Sequence, residues 1–508
     1  MRLSSTTLSS IPANQTLVIP PLSSLALPEK VVMFGTGVLL RGLPNYFIDK
    51  ANRQGIFQGR IVVVKSTGKG TTDAFAEQNG LYTLCVRGIE NGRQVEEQII
   101  QSSISRVLSA QTEWEEILAC AENKDIRLIV SNTTEAGIKL VRKDSPHASP
   151  PSSFPGKLLA FLYRRFHTFK GSKESGMVIL PTELVPNNGD LLKSICLQLA
   201  EIHIKEPDFT IWLKEAHDFC NTLVDRIVPG ALPEADQKAL EEKLEYEDSL
   251  MIMAEPYRLW AIETSSPATK ALLSFSQTDE GVILADNINK HREIKLRLLN
   301  APHTFTCALA LWCGFSTVKE AMQHETFKHF ITDLMLQEII PFIIGKEISE
   351  QEARAFAHKV LDRFSNPFIA HEWMSISAQY TSKMLTRCIP LLLGNYARTP
   401  KPPHAITLGV AAYLLFMRSR KNQEGQYIGT LHQQEYIIYD DKAAVLYEHW
   451  QEETTAKAVH SILSDEGLWN CDLTQLPEFA KRVYDLLQLM KTKSPETLLQ
   501  EQLIVSPQ

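Results

Sequence analysis

Lys295, Asn300 and His303 lie within one short run, Lys295-Leu-Arg-Leu-Leu-Asn300-Ala-Pro-His303, which places an ammonium, an amide and an imidazole in sequence. These three groups suit the reduction of a carbonyl without a metal. Hydride arriving at a ketone carbon leaves an alkoxide that needs stabilisation and a proton. A lysine ammonium supplies both, and the asparagine and histidine can hold the same oxygen by hydrogen bonds. On an unbroken helix, residues 0, +5 and +8 fall within an arc of about 140°, so all three can face one cavity. Pro302 interrupts this picture, because it lacks an N–H and crowds the carbonyl four residues back; a kink or a fresh helix start is expected near Asn300. The competing reading puts Lys295 on a solvated face with Lys290, Arg292 and Arg297, Asn300 at a cap and His303 in the core. The elements around the trio weigh between the two.

Upstream, Lys30-Val-Val-Met-Phe34 reads as a buried strand that runs into Gly35-Thr36-Gly37 and then a helical pattern through Arg41, Phe47 and Ile48. Strand, glycine turn and helix together hold a pyrophosphate, which makes Gly35, Thr36, Gly37 and Arg41 candidate coenzyme contacts. The third glycine of the usual fingerprint is absent. Leu40 stands in its place, and Gly42 and Pro44 predict a late helix start. The second strand, Arg60-Ile-Val-Val-Val64, ends in Lys65-Ser66-Thr67 instead of the acidic residue that binds a ribose, so NAD and NADP both stay open. A third run, Ile126–Ser131, leads into Asn132-Thr133-Thr134-Glu135, and a fourth, Met177–Leu180, into Pro181-Thr182-Glu183 and Asn187-Asn188-Gly189. Polar residues after parallel strands are where such sheets bind ligands. Between them, Tyr82–Gly88 and Arg93–Val107 read as a hairpin joined by Asn91-Gly92, the favoured type I′ pair.

Beyond Asp286 the apolar spacing becomes helical, as in the capping box Ser349-Glu-Gln-Glu352 followed by Phe356, Val360, Leu361 and Phe364 on one face. Two domains are therefore expected, 1–285 and 286–508, in agreement with a length of 508 residues. A 44% hydrophobic, 22% charged composition is that of a packed core, and a net charge of −7 offers no basic stripe for nucleic acid. The eight scattered cysteines form no Cys-x-x-Cys pair and read as reduced thiols. The first thirty residues are broken by Pro12, Pro20, Pro21 and Pro28, unlike a secretory signal core, and the apolar run Ile406–Met417 is too short to span a membrane. A cytoplasmic location follows as the expectation. His324-Glu-Thr-Phe-Lys-His329 misses the i, i+4 spacing of a helical zinc pair, so no catalytic metal is expected.

These stretches together resemble the long-chain polyol and sugar-acid dehydrogenases, the mannitol dehydrogenase family. The resemblance rests on Lys295-x4-Asn300-x2-His303, on Gly35, Gly37 and Arg41, on Asn188-Gly189, on Leu223-Val-Asp225-Arg226, and on Arg363-Phe-Ser-Asn366-Pro367 with Lys383. It implies an α/β fold, with an elaborated Rossmann-type N-terminal domain followed by a mostly helical domain that supplies Lys295, and a site between them. It also implies NAD as coenzyme with Lys65 and Asn132 near it, a small-molecule substrate, and Asn188, Asp225 and Lys383 as substrate anchors. Within the family the chain is most similar to members that reduce a ketouronate. Polyol members carry Asp and Arg around the positions of His371 and Ser375, and this chain has neither. A substrate ending in carboxylate favours His371, Lys383 and Arg387 over an aspartate. The competing expectations are a different ketouronate, fructose, or a nucleotide-binding protein that has lost its activity.

Overall fold

In the computed structural model, residues 1–12, 15–66, 72–133 and 137–502 are described. Thr67, Thr134 and Glu135, which belong to the polar strand ends noted above, lie outside them. By internal contacts the chain divides into two units: Met1–Gly88 with Arg93–Ile288, and Asn289–Gln508 with Ile89–Gly92.

The first unit is built on a six-stranded, all-parallel sheet. Its strands in spatial order are Ile104–Ser109, Arg60–Lys65, Glu29–Phe34, Leu128–Ser131, Val178–Pro181 and Asp218–Phe219. Numbered along the chain, that order is 3-2-1-4-5-6, the doubly wound arrangement, whose switch point lies between Glu29–Phe34 and Leu128–Ser131. Helices on both faces explain why these strands read as unbroken apolar runs. Val32, Phe34, Val62 and Val64 join one core with the helices Phe154–Thr168 and Asn188–His203, while Val31, Met33, Ile61 and Val63 join another with Pro44–Arg53.

The Asn91-Gly92 turn forms with both residues at positive φ, 53° and 72°, and joins Tyr82–Glu90 to Arg93–Gln101. The second arm stops sooner than its apolar pattern suggests. Asp49 Oδ1 accepts from the Ser102 N–H and hydroxyl at 2.7 and 2.9 Å, which ends the arm and releases Ile104–Ser109 to become the edge strand of the main sheet. A further three-stranded sheet carries Thr222–Asp225, Leu259–Glu263 and Val282–Ala285.

The second unit is mostly helical. Ala301–Trp312 and His404–Phe416 are buried along nearly their whole length and form its centre, the latter containing all but the last residue of the apolar run noted above. The Ser349–Glu352 capping box forms as expected, opening the helix Glu350–Phe364. A three-stranded antiparallel sheet spanning Ser419–Lys421, Tyr427–Leu431 and Gln434–Ile437 gave no clear strand signal. Among the described residues no helix is long and apolar enough to cross a membrane.

Candidate active site

The helix that carries the trio neither kinks nor restarts at Asn300. Asn289–Lys295 passes into a π turn, Leu296–Asn300, and then into Ala301–Trp312. The same device recurs at Leu334–Ile339 and Met384–Cys388. Each π turn ends two residues before a proline: Pro302, Pro341 and Pro390. In each, the residue just before the proline donates its N–H five residues back, Ala301 to Leu296, Ile340 to Met335 and Ile389 to Met384. An α-turn would press the proline ring against a carbonyl that it cannot bond; one extra residue in the turn relieves that clash. The consequence for the trio is register. In a π turn, residues five apart stand one turn apart, so Asn300 follows directly over Lys295, and His303, three residues further along an α-helix, stays on that face.

His303 is buried. Its ring stacks on Phe364, centroids 4.1 Å apart and planes at 21°, with the His371 ring edge-on at 5.3 Å. Nε2 is buried with no hydrogen-bond partner among the described residues. Leaving such an atom unpaired costs roughly 1–3 kcal/mol, so the ring has one nitrogen to offer a water or a ligand atom. Burial holds the imidazole well below its usual proton affinity, and His371, Arg363, Arg387 and Lys383 push it further in the same direction. The ring is therefore neutral at neutral pH.

The expected substrate residues of this unit gather at the same place. Burial, then Lys383 and Arg363, lower the His371 pKa; burial, then Arg387, lower that of Lys383; burial lowers that of Arg387. Lys383 Nζ donates to the Ile376 carbonyl at 2.8 Å, and Arg387 Nη1 reaches Thr304 Oγ1 at 3.3 Å. Thr304 Oγ1 in turn donates to the Asn300 carbonyl at 2.8 Å. Tyr380 fixes this part of the helix, donating to Thr304 O at 2.7 Å and accepting the Ala308 N–H at 3.0 Å. Lys295 stands half-buried at the entrance to the π turn. Groups that depress one another's proton affinity in this way form a locally cationic site within a chain of net charge −7.

In the first unit, the glycine turn sits at the switch point of the sheet. Gly35 has φ +131°, and a Cβ there would meet the Asn132 carbonyl and Leu40 Cδ1, each at 2.9 Å. Only glycine fits. A Cβ on Gly37 would meet nothing within 4 Å, so its exposed face leaves backbone open to a phosphate. The missing third glycine is explained by packing, for Leu40 fills the space beneath the turn, and Gly42 provides the close approach instead, its absent Cβ replaced by Val228 at 2.7 Å. The helix does not start late: Val38–Gly42 is already helical, breaks at Leu43, and resumes as Pro44–Arg53. Thr36 is half-buried between the glycines, and Lys65 is buried at the end of its strand. Asn132 Nδ2 donates to Thr182 O and Oγ1, both at 3.0 Å.

Two expected contacts point elsewhere. The Arg41 guanidinium lies between Phe75 and Tyr82 and donates to the Leu250 carbonyl at 2.8 Å, which ties the first helical turn to the segment just before the short strand Ile252–Ala254. Asn188 is saturated by the protein: Nδ2 donates to the Pro181 and Glu183 carbonyls, and Oδ1 accepts from the Gly189 and Thr222 N–H groups. With no capacity left for a substrate hydroxyl, it joins the strand end Val178–Pro181 to Thr222. Gly189 packs its bare Cα against Cys220 for the same reason. Asp225 is buried at the end of Thr222–Asp225.

Comparison with known proteins decides the family. A model of the mannitol dehydrogenase Rossmann domain matches residues 29–274, and one of the mannitol dehydrogenase C-terminal domain matches 287–491. The chain belongs to the mannitol dehydrogenase family. It is an NAD-dependent oxidoreductase acting on CH–OH groups. It is 37% identical to an altronate oxidoreductase of Halalkalibacterium halodurans, over 92% of each chain, and 35% identical to that of Bacillus subtilis, over 90% of this chain and 91% of the other. In fold it is similar to the mannitol 2-dehydrogenase of Pseudomonas fluorescens, solved with NAD and D-mannitol, at 20% identity, TM-score 0.70 and 99% coverage of both chains. A D-sorbitol dehydrogenase structure gives TM-score 0.79 at 20% identity, covering 98% of this chain and all of the other.

Sequence reasoning left three residues of these regions without a role. Arg363 adds its charge to the group around His303, and only its place in the quoted Arg-Phe-Ser-Asn-Pro run hinted at it. Glu183, buried, accepts from Ser131 Oγ at 3.1 Å and from the Thr133 N–H and Oγ1 at 2.9 Å, holding the strand end beside Asn132. A carboxylate directly after a parallel strand was the available signal. Arg297, which only the competing reading placed on a solvated face, is buried.

Proposed function

We propose that this enzyme reduces the ketouronate D-tagaturonate to D-altronate, reversibly, with Lys295 as the proton donor. The observation that carries the reading is the unpartnered, buried Nε2 of a neutral His303 among Arg363, His371, Lys383 and Arg387. Such a place suits a keto oxygen whose molecule also bears a carboxylate. The resident coenzyme, NADH, supplies the hydride. Lys295 gives its proton to the oxygen as negative charge develops there, while Asn300 and His303 hold that oxygen. The Asn300 side chain is available, having no hydrogen-bond partner among the described residues. His371, Lys383 and Arg387 offer charge-assisted bonds to the carboxylate, with His371 and Ser375 standing around the positions where polyol members carry Asp and Arg. In the first unit, Gly35, Thr36 and Gly37 receive the coenzyme's phosphates, Lys65 and Asn132 flank it, and Asp225 meets a substrate hydroxyl.

The altronate oxidoreductases at 33–37% identity support this substrate over fructuronate or fructose. Hexuronate breakdown in the cytoplasm is the matching setting, where a reduced pyridine nucleotide pool and eight unpaired cysteines are both at home. The test is an initial-rate comparison of tagaturonate, fructuronate and fructose, each with NADH and NADPH, following nucleotide absorbance. Tagaturonate with NADH should give the highest kcat/KM. A higher value for fructuronate or fructose would replace the substrate, and tight nucleotide binding without turnover on any of them would remove the enzyme reading.

A further inference from the structure

Two of the three π turns carry the active-site candidates, and they do so in the same way. Lys295 directly precedes Leu296–Asn300, with Pro302 seven residues on; Lys383 directly precedes Met384–Cys388, with Pro390 seven residues on. The two turns are joined by one buried side chain. Arg297, inside the first turn, donates from Nη1 to the Thr386 carbonyl at 3.0 Å and the Arg387 carbonyl at 2.9 Å, inside the second. Its Nε is oriented by Glu293 at 2.7 Å, one helical turn earlier.

In the α register to which the helix returns beyond the π turn, the Thr386 carbonyl is the one that Pro390 leaves without a donor. In an α-turn it would accept the N–H of residue 390, and a proline has none to give. A part-buried carbonyl facing a buried guanidinium gains a charge-assisted donor, and a guanidinium is the side chain whose fork can serve two adjacent carbonyls without losing its charge. We propose that Arg297 is a positioning residue: it replaces the N–H missing at Pro390 and thereby fixes the turn bearing Lys383 and Arg387 against the turn bearing Lys295 and Asn300. It touches no substrate. Its effect is to hold the carboxylate-binding cations at a set distance from the proton donor, so that a keto acid anchored at one end presents its carbonyl correctly at the other. A misplacement of about 1 Å at such a site can cost about a hundredfold in rate. The proposal rests on the keto-acid reading for its kinetic part only.

The test pairs a thermal double-mutant cycle with kinetics. In Arg297→Ala the Tm should fall, and that fall should shrink by at least half in a Pro390→Ala background, where an N–H is restored to Thr386. Tagaturonate turnover should drop at least tenfold in kcat with the NADH Kd unchanged, and added guanidinium ion should recover part of it. Arg297→Lys, which keeps one donor point and the charge, should fall between wild type and Arg297→Ala in both measurements, and it carries the test if Arg297→Ala does not fold. Additive Tm losses in the cycle, or turnover within twofold of wild type, would overturn the proposal. If the wild-type enzyme turns over no ketouronate, the function reading fails by itself, and the Tm cycle still decides the bridge.

Discussion

At the scale of single residues, proton donation and charge recognition fall to different side chains if the site works as proposed. Lys295 is a flexible point charge placed at the mouth of a π turn, whereas His303 is buried, neutral and held by stacking on Phe364. Replacing Lys295 with Ala should lower kcat at least a hundredfold, about 2.7 kcal/mol of barrier, while circular dichroism and NADH binding stay as in wild type. Near-normal turnover in that variant would remove its role. The residue types at 295, 300 and 303 drew notice in the sequence because the chemistry of carbonyl reduction calls for such groups at some close spacing. The role of Asn188 was not, since a side chain that saturates itself on backbone groups and one that waits for a substrate share the same letter.

At the scale of elements, three prolines inside helices set the geometry of the second unit. The sequence showed where the helix had to yield but not how, because a kink, a restart and a widened turn all relieve the same clash, and tertiary packing selects among them. The same limit applied to Ile104–Ser109, whose apolar pattern continues the hairpin arm, while the buried Asp49 that interrupts it lies over fifty residues earlier in the chain. By contrast, the strand and glycine turn at Lys30–Gly37 were legible because local chemistry alone fixes them. Pro302→Ala restores an N–H to the wide turn and removes the clash that maintains it. Tagaturonate kcat should then fall at least tenfold while thermal stability holds or rises. Unchanged kcat would mean that packing, and not the proline, holds Lys295 in register.

At the scale of the whole molecule, buried ionisable groups tie stability to pH. Glu338, buried in the middle π turn, accepts the Ala405 N–H at 2.8 Å and the Ile406 N–H at 2.9 Å at the start of the central helix His404–Phe416. Burial pushes its carboxyl up to about 7 despite those bonds. Between its unfolded value of 4.5 and 7, the folded state keeps a proton that the unfolded state has lost, so stability contributed by this group declines across that window and is level above it. The upper bound on that decline is about 3 kcal/mol. Glu338→Gln should flatten the fall in Tm between pH 5 and 7 relative to wild type, and an unchanged pH profile would count against the shift. We propose that a cationic group beside His303 recognises the carboxylate of the molecule whose carbonyl oxygen takes the proton of Lys295. The ratio of kcat/KM for tagaturonate to that for tagatose, its neutral counterpart, measured in wild type and in Arg387→Ala, tests it most directly. The ratio should exceed a hundred in wild type and drop at least tenfold in the variant, and a wild-type ratio near one would show that no carboxylate is recognised there.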